Sequence, residues 1–240
     1  MQLLKSIASG IGRSFDIISP CRCICCGFNA CEDGLPVCSD CIGGFYRLVN
    51  TPCSRCGRDI GLCERDGNPL TFLFWYVPGD AHRMISYIKN DADVRFARFF
   101  AELLVMRIKS QHRRGFDAVT YIPRRRRGIR IAGYDQAKLI ATEVAHILGI
   151  DCITLLMRHG SREQKLLSAS ERRRTMVNRY SVIKENTLNS ENQIYGRILL
   201  IDDVCTTGAT LDACSSLLRK AGLKQVIPAV IARTPKRKDV

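Results

Sequence analysis

The segment from residue 198 to residue 210 constrains the fold more than any other part of the chain. It reads Ile-Leu-Leu-Ile-Asp-Asp-Val-Cys-Thr-Thr-Gly-Ala-Thr. Four consecutive aliphatic residues are typical of a strand that is buried on both faces of a parallel sheet. A Thr/Gly turn follows, and the apolar residues from Leu211 to Leu218 then recur at helical spacing. This order predicts a strand–turn–helix unit inside a parallel α/β fold.

The turn and the two acids before it indicate a ligand. A turn rich in amides and hydroxyls at a helix N-terminus is suited to bind phosphate. Asp202 and Asp203 end the aliphatic run, and they would repel a phosphate because both carry negative charge. They can instead accept hydrogen bonds from sugar hydroxyls or act through Mg²⁺. Phosphate, diol and metal together predict a site for a phosphorylated ribose.

A P-loop nucleotide site is the main alternative for a strand that ends in acids. That site requires the pattern G-x-x-x-x-G-K-[S/T], in which the lysine and the loop amides surround the phosphates. The nearest match here runs from Gly128 to Gly133 and continues with Tyr134 and Asp135, without a lysine. The sequence therefore excludes this class.

Ten of the thirteen cysteines lie between residues 21 and 63, and several form Cys-x-x-Cys pairs. In a reducing compartment this pattern favours a thiolate metal site over disulfides. Two pairs predict one Zn²⁺, and four protein ligands would make it structural; their residues are Cys23, Cys26, Cys38 and Cys41. A second zinc is an open alternative, with the candidate ligands Cys53, Cys56 and Cys63 and a fourth that is Asp66 or a spare cysteine.

Charge and hydropathy bear on partners and location. The net charge is +14, yet residues 1–66 contain seven basic and seven acidic residues, so the whole excess lies in residues 67–240. A basic surface favours a polyanionic partner. No apolar stretch reaches the ~20 residues of a membrane span. Residues 1–20 resemble an amphipathic helix more than a signal peptide, so we expect a cytoplasmic protein without a membrane span.

The chain divides by pattern into three parts: the N-terminal helix at 1–20, a zinc-ribbon module at 21–68 and an α/β domain at 69–240. In the third part, predicted strands alternate with predicted helices. The strands are expected at 70–77, 117–122, 153–157, 198–201 and 225–231, and the helices at 81–89, 92–109, 135–148 and 209–220. This alternation predicts a doubly wound parallel sheet, in which ligands bind at the carboxyl ends of the strands.

A run of arginines follows the strand that ends at Pro123, so it too should lie at the carboxyl edge of the sheet. Arg124 and Arg125 begin this run. Guanidinium groups match the several negative charges of a pyrophosphate. The alternatives for these residues are a solvated basic loop and a loop that contacts nucleic acid.

The string from Ile198 to Thr210 resembles the ribose-phosphate motif of type I phosphoribosyltransferases. The resemblance implies that Asp202 and Asp203 are the catalytic acids, which hold the ribose hydroxyls of phosphoribosyl pyrophosphate, and that Mg²⁺ accompanies this ligand. It also implies a 5-phosphate site formed by Thr206, Thr207, Gly208, Ala209 and Thr210.

The whole layout resembles the ComF family, which is linked to competence. Its members join a cysteine-rich zinc module to a type I phosphoribosyltransferase-like domain. Besides the leading helix and the cysteine pairs, the resemblance rests on Lys89 after an apolar helix, on the Pro-Arg loop, on the segment from Gly133 to Ala137, and on Gln164-x-x-Leu167 with Arg172. The chain departs from the family pattern at Ala132, Asp135 and Thr175, where the family has Arg, Asn and Asn.

Two function classes follow from the residues and the resemblance. The first is a protein that binds phosphoribosyl pyrophosphate together with Mg²⁺. Such a protein either transfers the phosphoribosyl group to an unknown acceptor or uses the ligand for regulation without turnover. The second is a non-catalytic accessory protein of natural transformation that handles single-stranded DNA or contacts competence proteins. Its candidate contacts are the Arg-rich stretches at 124–130 and 158–174.

Overall fold

The computed structural model describes residues 22–28, 35–51, 70–90, 94–159, 179–189, 191 and 193–235. The predicted helix at 1–20 lies outside the described residues. So do the candidate ligands of a second zinc, which are Cys53, Cys56 and Cys63. The helices are α1 (Ser39–Val49), α2 (Asp80–Asn90), α3 (Val94–Gln111), α4 (Arg126–Ala132), α5 (Gln136–Leu148) and α6 (Ala209–Lys220). The strands are β1 (Thr71–Trp75), β2 (Ala118–Tyr121), β3 (Asp151–Cys152), β4 (Leu156–Arg158), β5 (Tyr180–Val182), β6 (Arg197–Cys205) and β7 (Gln225–Arg233).

Five strands form one sheet in the order β1-β7-β6-β2-β3, and every neighbouring pair in it is parallel. The central strand is β6, which pairs with β2 on one side and with β7 on the other. Ile201 lies opposite Tyr121 in one neighbour and Ala229 in the other. The predicted parallel α/β sheet is thereby confirmed.

The aliphatic run of β6 is buried because helices cover both faces of the sheet. Leu199 and Ile201 join a core with α2, α3 and α5, while Ile198 and Leu200 join a second core with α6. All four side chains are fully buried. Burial of each such side chain contributes about 1.5–3 kcal/mol, so this strand anchors both layers. Helices on both faces confirm the doubly wound class.

The stretch at 153–157 does not form one strand of the sheet, so the expectation of a single strand there is wrong. Asp151–Cys152 pairs with β2, and Leu156–Arg158 forms a separate antiparallel ribbon with Tyr180–Val182. Between them, the Leu155 N–H donates to Thr120 Oγ1 over 3.3 Å, and Leu155 is buried in the α6 core. Packing of this leucine therefore diverts the chain from the sheet edge.

The described part of the cysteine-rich module packs on the α/β domain. Phe45 of α1 contacts Phe99 of α3 with ring centroids 5.4 Å apart. The Arg107 guanidinium also donates to the Val49 carbonyl over 3.0 Å. The module thus shares the core formed by α2 and α3. Among the described residues, no helix combines the length and the apolarity needed to cross a bilayer.

Candidate functional site

The two predicted acids lie near the carboxyl end of β6. The strand continues to Cys205, because Asp202 still lies opposite Val230 and Cys205 opposite Arg233 of β7. Backbone donors hold both carboxylates: the Asp203 N–H donates to Asp202 Oδ1 over 2.9 Å, and the Val204 N–H donates to Asp203 Oδ1 over 2.7 Å. The acids are therefore fixed by a regular strand rather than carried on a loop beyond it.

Negative charge is concentrated at this point. Burial raises the pKa of Asp202 well above its usual value, and the carboxylates of Asp203 and Asp135 add to the effect. The Lys89 ammonium at the end of α2 lies 3.7 Å from Asp203 Oδ2. A raised carboxyl pKa means that the ionised form is poorly stabilised in the free protein. The site therefore favours a bound cation or a hydrogen-bond donor.

A cavity of about 210 Å³ opens beside the acids. Its walls come from the carboxyl ends of β2 and β6, the start of α5, the start of α6 and the β4–β5 ribbon. The lining residues are Ile122, Pro123, Arg124, Asp135, Gln136, Ala137, Arg158, Tyr180, Asp202, Asp203 and Thr210. Four of the sequence-predicted site residues thus share one cavity: Arg124, Asp202, Asp203 and Thr210.

The other predicted phosphate residues form the turn between β6 and α6. Thr206 and Thr207 are exposed, and Gly208 precedes the helix with φ +85°, in the left-handed region. The Ala209 N–H donates to Thr207 Oγ1 over 3.3 Å. Within the described part of the chain, no group accepts a hydrogen bond from the backbone N–H of Thr207, Gly208 or Thr210. Unpaired donors at a helix N-terminus are suited to an anion.

The arginine run begins in a loop and continues as a short helix, α4, where the sequence suggested loop throughout. The Arg124 N–H donates to Asp135 Oδ2 over 2.8 Å, which ties the arginine to the N-cap of α5. Arg124 Nη1 is buried, and no described residue accepts a hydrogen bond from it. Arg125 follows as the exposed N-cap of α4 and does not line the cavity. Arg124 is therefore the better placed of the two for an anion.

The cavity wall at the start of α5 is held by side chains that reach back to α2. Gln136 is buried, and its Nε2 donates to the Lys89 carbonyl over 2.8 Å. The Tyr134 hydroxyl donates to the Ile88 carbonyl over 2.7 Å. These two bonds occupy carbonyls at the C-terminal end of α2, and they position Lys89 beside Asp203.

Sequence reasoning missed Arg158 and Tyr180 as members of this site. They are cross-strand partners in the β4–β5 ribbon, and the Arg158 guanidinium carbon lies 5.2 Å from the centroid of the Tyr180 ring. The two residues are far apart in sequence, and no local pattern signals their pairing. The one available signal is that Arg158 follows an apolar run, as Asp202 does.

The first two cysteine pairs converge as predicted. The sulfurs of Cys23, Cys26, Cys38 and Cys41 all lie within 4.8 Å of one another. The separation between Cys26 Sγ and Cys38 Sγ is 3.8 Å. Tetrahedral zinc with bonds of about 2.3 Å places its sulfurs about 3.8 Å apart. The donor set and its spacing therefore fit a structural Zn²⁺.

Backbone donors prepare Cys23 for a metal. The N–H groups of Cys25 and Cys38 lie 3.4 Å from Cys23 Sγ. Burial acts to raise the pKa of Cys23, but backbone hydrogen bonds outweigh it and lower the pKa to about 7. Cys25 differs, because burial and the charges of Cys23 and Asp80 raise its pKa to about 12. Cys25 is thus a buried thiol outside the four-sulfur cluster.

The C-terminal part of the chain is similar to known proteins. Residues 134–240 match the phosphoribosyl transferase domain family. "Competence protein F" of Haemophilus influenzae is 35% identical over 97 residues, which are 39% of this chain and 40% of that protein. "Competence protein ComFC" of Streptococcus pneumoniae is 26% identical over 204 residues, which are 81% of this chain and 86% of that protein.

Solved structures of phosphoribosyltransferases are also similar, at a level too low to support an argument. An allosteric regulatory enzyme of purine biosynthesis matches with a TM-score of 0.38 and 17% identity, over 63% of this chain and 26% of that one. An adenine phosphoribosyltransferase from Thermoanaerobacter pseudethanolicus matches with a TM-score of 0.37 and 15% identity, over 67% and 93%.

The alignment with the Streptococcus protein extends well beyond the matched domain, since 81% of the chain exceeds what residues 134–240 provide. The extra length includes residues of the four-cysteine cluster or of the helices that pack against it. A zinc-type module and a phosphoribosyltransferase domain therefore occur together here, with competence proteins as relatives. The chain is therefore similar to two competence proteins, and its C-terminal part matches the phosphoribosyl transferase domain family.

Proposed function

We propose that this protein binds phosphoribosyl pyrophosphate with Mg²⁺ in the cavity at the carboxyl edge of β6, and transfers the phosphoribosyl group to an acceptor. One observation carries the proposal. Two backbone-held acids, Asp202 and Asp203, adjoin a helix N-terminus at which the N–H groups of Thr207, Gly208 and Thr210 lack acceptors among the described residues. Sugar hydroxyls and a terminal phosphate require these two kinds of group side by side.

Each part of the ligand has a matching group. The 5-phosphate binds the N–H groups and hydroxyls from Thr206 to Thr210, where the helix dipole favours negative charge. The ribose hydroxyls donate to Asp202 and Asp203. The pyrophosphate is contacted by Arg124, whose buried Nη1 has no acceptor among the described residues, with Arg125 next to it.

The transfer breaks the bond between C1 of the ribose and the pyrophosphate oxygen, and the electron pair leaves with the pyrophosphate. The acceptor's lone pair forms the new bond to C1, and the acceptor then loses a proton. Positive charge grows on the ribose ring as the leaving group departs. Asp202 and Asp203 stabilise that charge, while Arg124 stabilises the charge on the departing oxygens.

The residues of the cavity fit Mg²⁺. Carboxylate oxygens are its preferred protein ligands, and it is often bound by one or two of them together with substrate phosphates. Asp135, Asp202 and Asp203 line the cavity, and burial together with the neighbouring acids raises the pKa of Asp202, which a bound cation would counteract. When bound, Mg²⁺ would supply charge neutralisation to the pyrophosphate.

The four-cysteine cluster has a structural role in this proposal. Four thiolates leave no open coordination position, so a zinc ion there would hold the module against α2 and α3 rather than take part in the reaction. Thiolate sites of this kind persist in a reducing compartment. We therefore place the protein in the cytoplasm.

A second candidate function is the handling of single-stranded DNA. The net charge of +14 supports it, because the excess lies in the α/β domain. Arg125 and Arg130 of the α4 region are exposed. The names of the two relatives connect them with competence. Under this alternative, the basic surface binds DNA and the cavity is not used for turnover.

Titration calorimetry with phosphoribosyl pyrophosphate and Mg²⁺ separates the two candidates. The comparison is wild type against the double variant Asp202→Asn/Asp203→Asn, with Asp151→Asn as the control. Asp151 is an exposed carboxylate at the start of β3, on the opposite edge of the same sheet. We expect the double variant to lose at least tenfold in affinity, and the control to bind as wild type does.

The same proteins are titrated with a single-stranded oligonucleotide, and pyrophosphate release is followed across a panel of ring amines. DNA binding without any affinity for the sugar phosphate in wild type would contradict the proposal. Tight binding of phosphoribosyl pyrophosphate without release of pyrophosphate for any acceptor would contradict the transfer reaction. It would leave a regulatory protein that binds this ligand without turnover.

A further inference from the structure

The β4–β5 ribbon adds a cation to the cavity that the proposed sugar-phosphate site does not use. Arg158 is half-buried and lines the cavity, and Tyr180 is its neighbour on the paired strand. Tyr180 is 5% exposed and belongs to the core beneath α6. The guanidinium over its ring is therefore held against a fixed surface. A side chain restrained in this way loses little freedom when it binds a ligand.

Arg158 forms no close ion pair within the described ranges. Within the described ranges, no carboxylate lies within 4.0 Å of its guanidinium, and no oxygen accepts a hydrogen bond from it. Burial is the main cause that lowers the pKa of Arg158, and the charges of Arg125 and Arg179 act in the same direction. Tyr180 and Asp202 partly offset this effect. Of these three arginines, Arg158 lines the cavity, whereas Arg125 and Arg179 do not. A half-buried guanidinium without a close carboxylate can still gain a charge-assisted hydrogen bond from an anion that enters the cavity.

The anion that fits here is distinct from the sugar phosphate. The proposed phosphate contacts come from the start of α6, and the pyrophosphate contacts come from the end of β2. The ribbon is a separate two-stranded sheet that packs on the α6 face of the domain. Arg158 approaches the same cavity from this third direction. A planar carboxylate suits its two parallel donors.

We propose that Arg158, positioned by Tyr180, binds a carboxylate on the ring compound that accepts the phosphoribosyl group. This inference rests on the proposed function, because the acceptor occupies the cavity together with phosphoribosyl pyrophosphate. The cavity measures about 210 Å³, and an acceptor that shares it with phosphoribosyl pyrophosphate has to be a small compound rather than a polymer. The proposed acceptor is therefore a ring compound that carries a carboxylate and reacts through a ring nitrogen or an amino group on the ring. Neutral bases are disfavoured as acceptors.

Matched pairs of probes test the charge directly. The full-length protein is saturated with phosphoribosyl pyrophosphate and Mg²⁺ and titrated with nicotinate against nicotinamide, and with 4-aminobenzoate against aniline. We expect the acidic member of at least one pair to bind at least tenfold more tightly than its neutral partner. Equal binding within both pairs, or no binding of any probe, would overturn the inference.

Variants then locate the effect. Arg158→Gln removes the charge and leaves a shorter polar side chain, so it abolishes the preference for the acidic probe, while Arg158→Lys retains part of it. The control Arg114→Gln removes an exposed arginine ahead of β2, where the amino ends of the strands lie. It leaves the preference for the acidic probe unchanged. Tyr180→Leu weakens the preference less than Arg158→Gln does.

Binding of phosphoribosyl pyrophosphate serves as the second readout. It stays within about threefold of wild type in Arg158→Gln. A loss there as large as in Arg124→Gln would assign Arg158 to the pyrophosphate and overturn the inference. A loss of oligonucleotide binding in Arg158→Gln, without a change for the probes, would assign it to DNA instead. If wild type itself fails to bind phosphoribosyl pyrophosphate, the proposed function fails first.

Discussion

The glycine before α6 offers a sharp test of the phosphate site. Gly208 has φ +85°, and a Cβ at this position would meet Asp212 Oδ2 at 3.7 Å and Cys205 Sγ at 3.9 Å. These are ordinary contacts, so Gly208→Ala creates no clash. The cost comes from the left-handed backbone alone, which is about 1–2 kcal/mol for an L-residue. For a domain of this size, each kcal/mol lowers Tm by about 2–4 °C.

The matched control is Gly149→Ala. Gly149 follows α5 with φ +68°, and no atom lies within 4 Å of a Cβ built there. Its backbone cost is therefore similar, but it lies ahead of β3, at the edge of the sheet away from the acids. We expect the two variants to lose similar stability in thermal unfolding, with Tm lower by about 2–8 °C in each.

Ligand affinity should separate the two variants. Alanine at position 208 relieves its strain by leaving the left-handed region, which turns the N–H groups of Ala209 and Thr210 away from the phosphate. We expect Gly208→Ala to weaken binding of phosphoribosyl pyrophosphate by about tenfold or more, which is about 1.4 kcal/mol, and Gly149→Ala to leave it within twofold. Equal affinities in the two variants would refute the reasoning, because a stability effect alone cannot distinguish the positions.

Three further predictions address the acids, the cavity wall and the zinc cluster. Burial raises the pKa of Asp202 in the folded protein, so ionisation of Asp202 destabilises the fold. This destabilisation grows as the pH rises from the usual carboxyl pKa to the raised pKa, and it is complete above the raised pKa. Asp202→Asn should therefore raise the Tm of the ligand-free protein at neutral pH, with a gain that shrinks on acidification; a lower Tm at neutral pH would contradict this. Gln136→Leu leaves the Lys89 carbonyl without the donor that the buried Gln136 supplies and should cost about 1–3 kcal/mol in chemical denaturation. An unchanged midpoint would show that water replaces the amide. Cys41→Ser should remove one equivalent of zinc by metal analysis, and Cys214→Ser, which alters a buried thiol outside the cluster, should remove none; equal zinc contents would disprove the four-sulfur site.

The sequence was most informative where local pattern and burial agree. Four aliphatic residues at 198–201 predicted a strand covered on both faces, and they lie in the centre of the sheet. The adjacent acids and the Thr/Gly turn were predicted to meet at a strand end because they are consecutive in the chain. Cys-x-x-Cys spacing predicted the four-sulfur cluster for the same reason, since each pair forms its own turn.

Groups that meet through non-local packing were not predictable. The ribbon pairs Arg158 with Tyr180 across a long intervening segment, and it forms because Leu155 packs on the α6 core and leaves the sheet edge. The bond from Gln136 to the Lys89 carbonyl spans 47 residues. No residue near Lys89 in sequence indicates that α2 would deliver this lysine to Asp203. Such contacts depend on the assembled layers rather than on periodicity.

A crystal structure of the protein with phosphoribosyl pyrophosphate and Mg²⁺ tests the central claim most directly. The account predicts the 5-phosphate within hydrogen-bond distance of the N–H groups of Gly208 and Thr210, and the ribose hydroxyls on Asp202 and Asp203. Ligand density at another surface, or a cavity occupied only by solvent at saturating ligand, would contradict it.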